Sequence, residues 1–138
     1  MTTDLPTNLG YGTVIGRFLL AYADSADAGN EPDGIAAVGS VFFVPSVNAV
    51  KNPTASPAPV TIMPATVECT LDTEGYLYGP QGGRGVRLIA TDDPDTIPNN
   101  WYWTVKFKLT DQGGTPLNGL DNKMLTLSGG ETLDLTLV

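Results

Sequence analysis

Histidine is absent from this 138-residue chain, and cysteine occurs once, at Cys69. The first absence removes the commonest general base, the commonest zinc ligand and the usual partner of a nucleophilic serine. The second removes thiolate metal clusters and any intrachain disulfide, so the fold cannot lean on oxidation. Positive charge is scarce too: 7 bases stand against 15 acids, a formal net charge of −8. Nucleic acid and anionic membrane surfaces both need a positive footprint, so neither is an expected partner. No apolar run approaches the roughly 20 residues that span a bilayer. The opening, MTTDLPTNLG, lacks the basic region and apolar stretch of a secretory signal, which points to synthesis in a cytoplasm. Helical periodicity is also missing.

What is present is turn chemistry and alternation. With 16 Gly, 11 Pro and 16% charged residues, the composition suits many short strands joined by turns. A chain of this length can bury a core unaided and defaults to one domain. Residues Met1–Gly10 read as an extended N-terminal arm, and 11–138 as a single β-sandwich domain.

Strand patterns recur along that domain. A first strand is expected over Tyr11–Tyr22, with Gly12 and Gly16 marking weak points. Gly39–Pro45 alternates Val41, Phe43 and Pro45 against Ser40, Phe42 and Val44. Ser46–Pro64 carries Pro53, Pro57, Pro59 and Pro64, which excludes a helix and predicts a crossing or an exposed arm, with Val60–Met63 as a short edge strand. Thr66–Asp72 and Tyr76–Tyr78 read as a hairpin, Gly79–Gly85 as a flexible loop, and Val86–Ala90 as a central strand. Asp111–Asn122 is rich in turns. Lys123–Leu127 and Thr132–Val138 flank a Ser128-Gly129-Gly130 turn and read as a terminal hairpin. The expected architecture is all-β, an antiparallel β-sandwich of about eight or nine short strands. Its predicted core is Val14, Phe18, Leu20, Val41, Phe43, Val67, Cys69, Leu71, Leu88, Trp103, Val105 and Phe107.

The densest signal lies at Ala90–Leu109, ATDDPDTIPNNWYWTVKFKL. An acidic, proline-punctuated loop feeds a strand with Trp101, Trp103, Val105, Phe107 and Leu109 on one face. Tyr102, Thr104, Lys106 and Lys108 share the other. This stretch resembles a segment of minor tail proteins from siphophages that infect actinobacteria. VIGRFLL (Val14–Leu20), GSVFFVPS (Gly39–Ser46) and TVECTLDTEGYL (Thr66–Leu77) fit the same resemblance, in the same order, so it covers roughly Val14–Leu109. The resemblance implies a β-domain of the virion tail, made in the host cytoplasm and acting through contacts with other phage tail proteins and its own copies.

Chemistry is thinly supported. No G-x-S-x-G elbow is present, and GPQGGRG at Gly79–Gly85 lacks both the phosphate-loop ending and dinucleotide-turn spacing. Paired carboxylates remain conceivable, but most acids sit in turns, where Asp is favoured for local hydrogen bonds, so an enzyme is not expected. Cys69 groups with Val67 and Leu71 as a buried structural thiol. Asp24, Asp27, Glu31 and Asp33 cluster in one loop, and Asp92, Asp93 and Asp95 in another. Both supply the oxygen ligands that calcium takes, and both also read as exposed acidic turns, so no cofactor is expected beyond that one ion. Tyr76, Tyr78, Trp101 and Tyr102 are the candidate surface contacts. In a row they would suit a host-surface glycan, while the tryptophans equally suit a core. A glycan-binding module and a capsid decoration protein are therefore the alternatives to a tail component.

Overall fold

The alternation resolves into twelve short strands and a closing 3-10 turn, in a computed structural model that describes residues 4–22 and 33–138. Strands β1 (Tyr11–Ile15), β9 (Val86–Ile89) and β12 (Thr132–Asp134) form a three-stranded sheet in the order β12-β1-β9. A five-stranded sheet runs β11 (Lys123–Leu125), β10 (Trp103–Thr110), β4 (Val38–Pro45), β7 (Val67–Leu71), β8 (Leu77–Tyr78). Two ribbons complete the set: β2 (Leu19–Tyr22) with β3 (Asp33–Ala36), and β5 (Val50–Asn52) with β6 (Val60–Ile62). The fold is all-β and sandwich-like, as expected, with twelve short strands in place of the expected eight or nine because Tyr11–Tyr22 splits in two, Ser46–Pro64 contributes a pair and β3 is added. One pair, β1 with β12, is parallel among otherwise antiparallel neighbours.

Period-two alternation decides which side chains meet between the layers. Val14, Val86 and Leu88 come from the small sheet. Val41, Phe43, Cys69, Leu77, Trp103, Val105, Leu109 and Leu125 come from the large one, and all belong to a single buried cluster. Each aliphatic side chain buried this way contributes about 1.5–3 kcal/mol. Trp103 ties the layers together: it is 2% exposed, and its Nε1 donates to the Ile89 carbonyl at 3.0 Å. Phe18, Val67, Leu71 and Phe107, expected in the core, are half-buried against it. Leu20 is half-buried on the β2–β3 ribbon and outside the cluster.

Three expectations are corrected. The first strand breaks after Ile15, because Gly16 and Arg17 turn aside to bond the β8 approach: the Leu77 N–H donates to the Gly16 carbonyl at 2.8 Å. The terminal hairpin does not form. Its halves join different sheets, with Lys123 opposite Val105 and Leu133 opposite Val14. Leu127, fully buried between them, is held to Thr91, whose backbone N–H and hydroxyl both bond Leu127. Asp134 caps the 3-10 turn Leu135–Leu137, so the leucine alternation ends with Leu135 buried and Leu137 84% exposed. Finally, Ser46–Pro64 is neither crossing nor arm. It folds into the β5–β6 ribbon, in which Val60–Ile62 is the short strand expected at Val60–Met63, and Lys51 bonds Ile97 through both backbone groups.

The packed unit also begins before Tyr11. Leu9 is 5% exposed, and the Ala90 N–H donates to the Gly10 carbonyl at 2.9 Å. The last residues of the expected arm are therefore stitched to the body.

Candidate interaction surface

The turn joining β7 to β8 organises the first cluster of polar side chains. Asp72 Oδ1 accepts the backbone N–H groups of Glu74 and Tyr76, each at 2.9 Å. Gly75 follows at φ +86°, a conformation glycine alone adopts without strain, and a Cβ there would fall 2.4 Å from the Phe18 carbonyl oxygen. Phe18 in turn donates its N–H to the Gly75 carbonyl. Arg84 reaches into this turn and pairs with Asp72 at 2.9 Å and Glu74 at 2.8 Å. Its guanidinium carbon lies 3.9 Å from the centre of the Tyr76 ring, and that of Arg17 lies 4.6 Å from the same centre. Burial works against the Asp72 charge, but the Arg84 bond and the two backbone N–H groups outweigh it and hold its carboxyl below the usual range. The Asp72 bond likewise raises the Arg84 guanidinium.

Tyr76 is therefore a half-buried ring covered by two guanidinium groups rather than a free contact. Tyr78 is 36% exposed, with its hydroxyl donating to the Gly82 carbonyl at 2.6 Å. That bond, together with Gln81 Nε2 on the Gly85 carbonyl, orders the glycine-rich loop that the sequence predicted to be flexible. Tyr102 is 39% exposed, and its strand position is fixed by two bonds with Ser46. Trp101 is corrected outright: at 3% exposure it is a core residue, tilted against Trp103 with ring centres 5.2 Å apart. Trp101 lies two residues before Trp103 and shares its inward face, so it joins the same core cluster. Tyr78 sits opposite Thr70, while Tyr102 lies beside Ser46 at the far end of β4. At about 3.3 Å per residue the two tyrosines are some 20 Å apart, and they make no common stacking platform.

The acidic loop Asp92–Asp95 is spent on its own framework. Asp93 is 7% exposed, with Oδ2 accepting the Gly10 N–H at 2.7 Å and Oδ1 accepting the Asp95 N–H at 2.9 Å. Asp92 accepts the Ser128 hydroxyl at 2.6 Å. Among the described residues no group of three or more ligating side chains converges as a metal site. The other acidic cluster falls outside what can be read: Asp24, Asp27 and Glu31 lie beyond the described residues, and only the Asp33 backbone is described.

Cys69 is 1% exposed, and burial, followed by the neighbouring Glu68 charge, pushes its thiol up to about 11. An unreactive protonated thiol follows.

Sequence reading gave little notice of the apolar surface. Met63 (73% exposed), Met124 (72%), Ile97 (61%) and Leu137 (84%) each present an uncovered side chain at a sheet margin or turn. A groove of about 390 Å³ opens beside the β2–β3 ribbon, lined by Phe18, Leu19, Leu20, Leu109, Leu117 and Leu120 among others. Both ribbon and groove depend on tertiary pairing, which periodicity does not encode. Compared with known proteins, the chain matches no family model, no curated protein and no solved structure.

Proposed function

We propose that this chain is a structural component of a phage tail that acts by packing against other tail proteins and further copies of itself. The observation that carries the reading is the apolar surface. Met63, Ile97, Met124 and Leu137 are each more than three-fifths exposed on a chain with a complete internal core, which leaves apolar area available for contact with neighbouring chains.

The resemblance to minor tail proteins supports the same reading in a specific way. Two of its segments, VIGRFLL and TVECTLDTEGYL, meet in space. Arg17 bridges Tyr76, and Gly16 and Phe18 bond Leu77 and Gly75. The shared residues thus build one junction between strands rather than a ligand pocket, as expected of a scaffold.

Mass spectrometry of purified particles, split into heads and tails, tests the proposal. Enrichment in the tail fraction is the expected result. Enrichment in heads would make the chain a decoration protein, and absence from both fractions would overturn the structural reading.

A further inference from the structure

Strand β4 is apolar on both of its faces. Val41 and Phe43 point inward and are fully buried, and the small sheet covers them. Phe42 and Val44 point the other way and are only half-covered. Strands with apolar residues on both sides are ordinarily covered on both sides. Among the described residues, only one cover is present.

The neighbours of Phe42 say what the second cover is. In the strand register Phe42 lies directly opposite Lys106 on β10 and directly opposite Glu68 on β7. All three therefore project from the same face, in one row that reads positive, apolar, negative. Lys106 and Glu68 are both exposed, two strands and about 10 Å apart, and neither is among the ion pairs of the described residues. The next row repeats the theme without a second acid: Lys108, Ser40, Thr70 and then Tyr78. Met124, opposite Thr104, extends the apolar area at the other end.

We propose that this outer face of the five-stranded sheet packs against the same face of a second copy, about a two-fold axis running roughly along β4. Rotation about that axis exchanges the two sides of the row. Phe42 meets Phe42 of the partner subunit, and Lys106 meets Glu68 of the partner subunit, twice over. Rotation about the perpendicular in-plane axis would instead set Lys106 against its own copy, so the charges select one orientation. The symmetry is isologous and closed, as in most homodimers. The five strands are unequal, from eight residues in β4 and β10 down to two in β8; at about 3.3 Å per residue and about 4.8 Å per strand they give roughly 400 Å² per copy, below a standard interface, so the pairing is weak and gains from high local concentration. It is a property of this face and goes beyond the tail reading, because it holds for the isolated chain.

Sedimentation of the purified full chain over a concentration series tests it. Expected is a concentration-dependent dimer that weakens with salt. E68K and K106E should each weaken it by about tenfold, since each places like charges together at two points. The charge-swapped E68K/K106E double variant should recover dimerisation to within a few-fold of the original, and thermal melts would show all three remain folded. A chain that stays monomeric up to about 1 mM would overturn the proposal. So would a double variant no tighter than the single ones, or a dimer indifferent to both. None of these outcomes bears on whether the chain is found in tails.

Discussion

Asn8 and Asn52 bond each other in both directions. Asn52 Nδ2 donates to Asn8 Oδ1 at 2.9 Å, and Asn8 Nδ2 donates to Asn52 Oδ1 at 3.2 Å. Asn52 is wholly buried, so this amide pair fastens the N-terminal segment to the β5–β6 ribbon. Removing one partner strips the other of its bonds across the pair and leaves it only the Thr54 hydroxyl. N52A and N8A should each lower stability by about 1–3 kcal/mol, and the double variant should cost less than their sum. Chemical denaturation of the three variants measures this. Full additivity would show that the pair is not coupled.

The two tryptophans make a matched comparison. Trp103 Nε1 donates to Ile89, whereas Trp101 Nε1 is buried with no acceptor among the described residues. W103F should therefore cost about 1–3 kcal/mol more than W101F, because it leaves the Ile89 carbonyl unpartnered between the sheets. Equal losses in denaturant melts would contradict this assignment.

Gly39 sits at φ +134° where β4 pairs with β10, and a Cβ there would stand 2.2 Å from the Lys108 carbonyl oxygen. G39A should destabilise the fold by about 2–4 kcal/mol through backbone strain and displacement of the strand pair. Thermal unfolding reads the loss directly. A variant as stable as the parent would mean that β4 and β10 do not approach this closely.

The pH response has two signed parts. Asp72 is held below its ordinary value in the folded chain, so its contribution is present above the unfolded pKa and is lost as pH falls through the lower folded one, an acid-side effect. D72N should flatten that part of the profile. Cys69 is raised to about 11, so its contribution is intact below the unfolded thiol pKa and is lost as pH climbs through about 11. In native protein at pH 8, Cys69 should resist thiol alkylation and become reactive on unfolding. Rapid labelling of folded protein would contradict the burial.

Much of the sandwich was legible because alternation is local. The inward sets on β4, β7 and β10 follow from period two alone, and Val41, Phe43, Cys69, Trp103 and Val105 are buried accordingly. What escaped depends on partners distant in sequence. Nothing near Thr132 indicates that it runs parallel to Thr13, and the turn at Ser128–Gly130 looks the same whether its flanks pair or part. The contact residues divided in the same way. Trp101 and Tyr102 both precede β10, yet both follow its alternation: Tyr102 is exposed on the wet face, and Trp101 is buried on the face it shares with Trp103, which favours the core reading of the tryptophans over the surface one. The Arg17–Tyr76–Arg84 stack brings together residues from three separate segments.

The claim that this chain is a tail scaffold is tested most directly by cryo-electron microscopy of intact particles at side-chain resolution. The account predicts density for this fold in the tail, with Met63, Ile97, Met124 or Leu137 covered by neighbouring chains. Density confined to the head, or a tail fully built without this fold, would contradict it.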